Sequence, residues 1–225
     1  DFAVPNDARY FHITTNNTIY GTQWQKVPRT SNVMVADMSS DILSRRLNFN
    51  DFGLIYAGAQ KNMGAAGVTM VVVDEKILGK VKHPIPTIMD YRNHIAEGSM
   101  LNTPPVLAVY VCLLTLRWLK NLGGIDAIQK INEEKAMLLY GEIDSNELFT
   151  TTVRPSDRSR MNVCFAAKNS DHEKLFLDFA DKQGIVGIKG HRLSGAFRAS
   201  LYNALPLSSV QYLVEVMQHF SCSIA

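Results

Sequence analysis

Three short apolar runs dominate the first third of the chain: VMVA at 33 to 36, LIYA at 54 to 57 and VTMVVV at 68 to 73. Uninterrupted β-branched runs of this length predict strands buried on both faces, as in a mostly parallel sheet flanked by helices. The connection from 58 to 67 is too short for a crossover helix, so the second and third strands are expected to be antiparallel neighbours and the sheet mixed. An earlier run, RYFHI at 9 to 13, predicts one more strand, and the cluster Thr14-Thr15-Asn16-Asn17-Thr18 after it is a turn signal. A brief helical pattern covers 41 to 47, with Ser39 or Ser40 as its cap.

Residues 74 to 104 read as irregular, and Asn102-Thr103-Pro104-Pro105 as a helix start, with Thr103 capping. Helices are expected at 106 to 122 and 125 to 143, broken by Gly123-Gly124. The first, strongly apolar from Val106 to Leu116, is expected to be buried; the second places Ile128, Ile131, Ala136 and Leu139 on one side and Glu133, Glu134 and Lys135 largely on the other. The glycine pair divides the chain into units 1–123 and 124–225. Beyond it the order is strand (149–153), strand (161–166), helix (171–183), strand (185–188), strand (197–201) and helix (207–220), a small α/β unit with a mostly antiparallel sheet.

Composition narrows the classes. An apolar content of 46% with 20% charged residues is that of a soluble globular protein, and a net charge of +2 gives no argument for nucleic acid or an anionic membrane. The run 106 to 116 is about half of the ~20 residues needed to span a bilayer. Three cysteines, at 112, 164 and 222, lack CxxC spacing, and six histidines never fall in HxxxH or HxH, so neither a disulfide scaffold nor a metal site is indicated. A reducing cytoplasm fits best. There is no secretory signal, and the opening Asp1-Phe2-Ala3 suggests a segment removed or absent upstream.

Candidate chemistry sits at the strand ends. Asp37 follows the first run and Gly58-Ala59-Gln60-Lys61-Asn62 the second, at the edge where open α/β sheets bind ligands. A lysine that condenses with an aldehyde and a carboxylate that keeps a ring nitrogen protonated are what a pyridine-ring cofactor needs. A Lys-Asp ion pair is the alternative. In the second unit, Arg198 lies within an apolar strand and Lys189, His191 and Arg192 lie in IKGHR. These are either an internal ion pair and a solvated loop or an anion clamp for a carboxylate and a phosphate.

VADMSSDILSRRLNFNDFGLIYAGAQKNMGAAGVTMVVV, LNTPP, SRMNV, GIKGHR and FRASLYNA together resemble the phosphoserine aminotransferase family, class-V enzymes of fold type I that depend on pyridoxal 5′-phosphate. The resemblance implies part of a mixed, mostly parallel large-domain sheet plus a small C-terminal α/β domain. It implies Lys61 as the Schiff-base lysine, Asp37 as partner of the pyridinium nitrogen and Thr18 as partner of the ring's phenolic oxygen. Gln60 would hold the cofactor phosphate, with Asn102 and Thr103 reaching it from the second subunit of a homodimer. Arg198 would clamp the substrate α-carboxylate, and His191 and Arg192 its phosphate. The implied reaction is reversible amino transfer from L-glutamate to 3-phosphohydroxypyruvate, giving 2-oxoglutarate and O-phospho-L-serine in serine biosynthesis, with a related transfer in vitamin B6 biosynthesis known in bacterial members. Asn17 stands where the family usually has Glu. The chain resembles only the later part of the family domain, so the glycine turn for the cofactor phosphate, a stacking aromatic ring and a further substrate arginine are expected outside it. A cysteine desulfurase, an alanine–glyoxylate-type transaminase and a non-enzymatic structural piece are the alternatives.

Overall fold

The computed structural model describes residues 4, 5, 7–191 and 197–224. Four strands form the larger sheet: β1 (Tyr10–Thr14), β4 (Val33–Asp37), β5 (Leu54–Gly58) and β6 (Thr69–Val73), side by side in that order. The first three are parallel and β6 is antiparallel to β5, the mixed topology expected. Between β1 and β4, the two-residue strands β2 (Asn16–Asn17) and β3 (Thr22–Gln23) make a small antiparallel ladder.

Register decides which side chains face the core. Ile13, Ala36 and Ile55 lie opposite one another and are buried with Met34, Ala57, Ile42 and Met63. Their sequence neighbours Thr14, Asp37 and Tyr56 point to the other face, since successive strand residues alternate. That second face is half-exposed or exposed, so the strands are not buried on both sides. The face that carries Asp37 is the open one.

The C-terminal unit packs α3 (Gly124–Ser145), α4 (Asp171–Lys182) and α5 (Leu207–Ile224) with an antiparallel sheet of β7 (Phe149–Thr150), β8 (Asn162–Ala167) and β9 (Phe197–Ser200). Its centre is a knot of phenylalanines, 149, 165, 176, 197 and 220, with neighbouring ring centroids 4.9 to 5.8 Å apart, mostly edge-to-face or tilted.

Several expectations change. Segment 41–47 is a turn and not a helix, because Leu43 takes a left-handed φ of 58°. Segment 185–188 is not a strand: Gly187 has a φ of 78°, Val186 is exposed, and only Lys189 bridges to Phe197. The strand expected over 149–153 stops at Thr150, after which the Thr151 hydroxyl donates to the Cys164 carbonyl at 2.8 Å. Within 74–104 a short helix α1 (Tyr91–Ala96) forms, its start capped by the Asp90 carboxylate. Helix α2 (Val106–Asn121) begins after Pro105 with no side-chain cap, so Thr103 does not cap it.

Helix α2 is also not buried. Ala108, Cys112 and Leu119 form its buried stripe, while Val106, Leu107, Val109, Tyr110, Leu113 and Leu114 are exposed, because apolar residues occupy more of its circumference than one packed face can cover. Among the described residues no single helix is long and apolar enough to cross a membrane; α2 and α3 qualify only as a pair, bent by 85°.

Lys135 is fully buried on α3 rather than on its polar side, since its position falls in the same stripe as Ile128, Asn132 and Leu139. Its ammonium donates to the carbonyls of Leu201 (3.0 Å), Tyr202 (3.0 Å) and Leu205 (3.1 Å). Burial pushes its pKa down to about 8. Lys135→Met would leave three carbonyls without a donor, and we expect a loss of stability on the order of 2–4 kcal/mol in denaturant titration at neutral pH. The linkage has a definite sign. Between about pH 8 and the ordinary lysine range the unfolded chain holds a proton that the native one lacks, so this group makes stability rise with pH there. The variant should lack that rise; an equally stable variant with an unchanged pH profile would contradict this account.

Candidate active site

At the C-terminal ends of β4 and β5, backbone and hydroxyl groups fix two adjacent turns. Asp37 Oδ1 accepts the Ser39 amide at 2.8 Å, and Ser39 Oγ accepts the Gly58 amide at 3.1 Å, tying the turn after Asp37 to the start of the turn that carries Lys61. The latter closes on the Ala59 carbonyl, which accepts the amides of Met63 (3.0 Å) and Gly64 (2.8 Å). Gly64 is needed for close approach: a Cβ there would lie 2.8 Å from Cys112 Sγ on α2.

Lys61 is half-buried. Desolvation lowers the pKa of its amine, Asp37 acts against that, and Arg198 adds to it, with a net downward shift. The three charges thus meet in one electrostatic environment although they come from β4, the turn after β5, and β9. Among the described residues Arg198 has no acidic partner. Its Nη1 donates to the Thr18 carbonyl at 3.1 Å, which replaces the internal ion pair that the sequence left open.

Thr18 lies in the turn between β2 and β3. Asn17 stabilises that turn by accepting the amides of Ile19 (2.9 Å) and Tyr20 (3.1 Å), a side-chain mimic of a backbone turn that glutamate would make less readily. Gly21 continues it at φ 72°, where a Cβ would sit 2.9 Å from the Asn162 carbonyl. Gln60 is exposed and its amide lies over Gly58.

The other expected site residues are more dispersed. Asn102 and Thr103 are exposed on the segment before α2, Asn102 bonding only locally to the Thr103 carbonyl at 3.2 Å. His191 is half-buried at the end of the segment that bridges to β9. Arg192 lies outside the described residues.

Other participants were not singled out from sequence. Tyr56 stands in register with Asp37, its phenol pKa raised by burial and by the Asp37 charge, and its hydroxyl lies 3.0 Å from His12 Nε2. The SSD motif turns out to be scaffolding. Ser40 Oγ donates to the Asn16 carbonyl at 2.8 Å, and buried Asp41 takes bonds from Thr15, from Gln23 at 3.1 Å and from Arg45 at 3.4 Å. Burial raises the Asp41 pKa while those partners act to lower it. Polar residues flanked by apolar ones in SSDILSR were the available signal, but their partners are distant in sequence.

A mixed sheet whose open edge carries a lysine and a carboxylate, with an arginine from the second unit acting on that lysine, is an arrangement suited to a pyridine-ring cofactor. The sequence signature described as aminotransferase class-V matches residues 3–213, and the chain belongs to that family. Within it, the chain is similar to phosphoserine aminotransferases. One, from Flavobacterium psychrophilum, is 56% identical over 224 residues, covering 100% of this chain and 63% of its own length. A solved structure concerning radiation damage of the Schiff base in phosphoserine aminotransferase superimposes with a TM-score of 0.94 at 46% identity, covering 99% of this chain and 62% of that one. Another, of the Trichomonas vaginalis enzyme with PLP bound, gives 0.91 at 37% identity over 96% of this chain and 62% of that one. The chain therefore spans less than two thirds of the length of these relatives.

Proposed function

We propose that the protein containing these residues is a pyridoxal phosphate-dependent phosphoserine aminotransferase. It would move the amino group reversibly between L-glutamate with 3-phosphohydroxypyruvate and 2-oxoglutarate with O-phospho-L-serine, as serine synthesis requires. The observation that carries this reading is the placement of Asp37 and Lys61 on adjacent turns joined through Ser39 at the ends of β4 and β5, with the charge of Arg198 from β9 acting on the Lys61 amine. The donor set fits the cofactor: an amine made less basic by burial, an acid facing the open side of the sheet, and a cation with no acidic partner among the described residues. The chemistry supplied by bound pyridoxal phosphate is an aldehyde that condenses with amines and a protonated ring that withdraws electrons.

Around that group the chain's residues take separate tasks. Lys61 would hold the cofactor's aldehyde and would move a proton at the substrate Cα, for which a lowered amine pKa is suited. Asp37 would accept the ring N–H, and Thr18 would bond to the phenolic oxygen. Gln60 would hold the cofactor phosphate, and Asn102 and Thr103, exposed here, would be delivered by a second copy in a homodimer. Arg198 orients the α-carboxylate, so that the Cα–H bond is presented to Lys61. His191 and Arg192 bind the substrate phosphate. Residues 1–123 form the cofactor-binding side and 124–225 the smaller substrate-clamping side. The three unpaired cysteines support a reducing, cytoplasmic setting.

A desulfurase reading finds less support. Cys112 and Cys164 are buried, burial raises the Cys164 pKa, which opposes nucleophilic use, and the exposed Cys222 sits within helix α5 and not on a loop. With L-glutamate as donor, the intact protein is expected to prefer 3-phosphohydroxypyruvate over 3-hydroxypyruvate by roughly 10- to 100-fold in kcat/KM per charged contact to the phosphate. Equal use of the two acceptors, or preference for glyoxylate, would overturn the substrate assignment.

A further inference from the structure

Asn62, the residue after Lys61, is almost fully buried, and its amide side chain bonds to two separate segments of the fold. Its Oδ1 accepts the backbone amide of Asn203 at 3.0 Å. Its Nδ2 donates to the Ile42 carbonyl at 3.1 Å, in the turn following Asp37, and lies 3.5 Å from the Ser40 carbonyl. Asn203, also buried, sits just beyond the strand that carries Arg198. Its own side chain donates to the carbonyl of left-handed Leu43 at 3.0 Å and accepts from Asn132 on α3 at 2.9 Å, and Asn132 in turn donates to the Ser44 carbonyl at 3.1 Å. From behind, Lys135 grips the carbonyls of Leu201, Tyr202 and Leu205.

We propose that Asn62, together with Asn203, is a positioning residue that sets the distance between the Lys61 amine and the Arg198 guanidinium, and so couples carboxylate binding to proton transfer. The inference rests on the roles given to Lys61 and Arg198 above. Both ends of the pair are fixed: Asn62 directly follows Lys61, and Asn203 follows β9 on a segment held at four backbone positions and by the Asn203 side chain. An amide is the suitable group at both places. It accepts an N–H and donates to carbonyls at once, whereas a carboxylate would set negative charge against the Ile42 carbonyl. Because proton transfer needs near-attack geometry, displacement of about 1 Å can reduce turnover on the order of 10²-fold while leaving binding groups in place.

The test compares intact wild-type protein with Asn62→Ala and Asn203→Ala at a temperature where circular dichroism shows all three folded. Kinetics are measured with L-glutamate, and borohydride reduction with peptide mass mapping checks that pyridoxal phosphate is still carried on Lys61. For Asn62→Ala we expect kcat to fall roughly 10- to 100-fold, the KM for L-glutamate to change less than about threefold, and Lys61 to remain labelled. Asn203→Ala keeps the backbone amide and loses only the side-chain grips, so its kcat should fall less, roughly 3- to 10-fold. It carries the same test alone if Asn62→Ala does not fold. Lowered melting temperature with unchanged kcat would overturn the positioning role and leave the pair purely structural. Wild type that is inactive or unlabelled at Lys61 would overturn instead the reading of the site itself.

Discussion

Lys61→Ala in the intact protein is expected to lower amino-transfer turnover by about 10³-fold. The reason is chemical as well as electrostatic. Lys61 is the half-buried amine whose pKa is lowered at this sheet edge, and nothing in its turn offers a second proton carrier: its neighbours Gln60 and Asn62 are amides, and Asn62 is engaged with the backbone. The loss should appear in kcat with both amino donors, since L-glutamate and O-phospho-L-serine present the same Cα–H. The absorption band of lysine-linked cofactor should vanish with it, while far-ultraviolet circular dichroism stays unchanged. A variant that retained both band and turnover would remove Lys61 from the mechanism.

Arg198→Ala should have the second largest effect. Hydrogen bonds from a guanidinium to a carboxylate contribute about 1.5–3 kcal/mol, so kcat/KM should fall roughly 10- to 100-fold for both amino acids alike. Arg198→Lys should recover only part of this, because a point charge does not match a carboxylate as a planar fork does. The same change removes one of the two influences that lower the Lys61 pKa, leaving desolvation against Asp37. The amine pKa should therefore rise, and because Lys61 must be unprotonated to take the Cα proton, the ascending limb of the pH–rate profile should move to higher pH in the variant. If O-phospho-L-serine suffered while L-glutamate kinetics were unchanged, Arg198 would belong to the phosphate and not the carboxylate.

Strand placement was legible where apolar runs are short and bounded, as at 33–36 and 54–57, and with it the positions of Asp37 and Lys61 at two strand ends. The antiparallel turn of β6 followed from the length of its connection. What sequence patterns hid were contacts made across long separations. The 41–47 segment carries a helical pattern, yet the carbonyls of Leu43 and Ser44 bond to Asn203 and Asn132, and those bonds hold a left-handed turn against local propensity. Lys135 was assigned to a solvated face because of its charge, and its three carbonyl partners arise only once 201–205 folds against α3. The alternating burial of β4 and β5 escaped because both open-face and core-face positions are largely apolar.

The open face bearing Asp37 and the exposed side of α2 show how the site depends on surfaces around it. Val106, Leu107 and Tyr110 lie on the helix whose Cys112 packs against Gly64, three residues after Lys61. The geometry of Lys61 is thus set from α2 on one side and from Asn62 and Asn203 on the other.

Peptide mapping after borohydride reduction tests the central claim most directly. The intact protein is incubated with pyridoxal phosphate, reduced, digested and analysed by mass spectrometry. A stable adduct confined to the peptide containing Lys61, and abolished by adding excess O-phospho-L-serine before reduction, is the result predicted. An adduct spread over surface lysines such as Lys26 and Lys182, or placed on Lys189 with Lys61 unmodified, would contradict it.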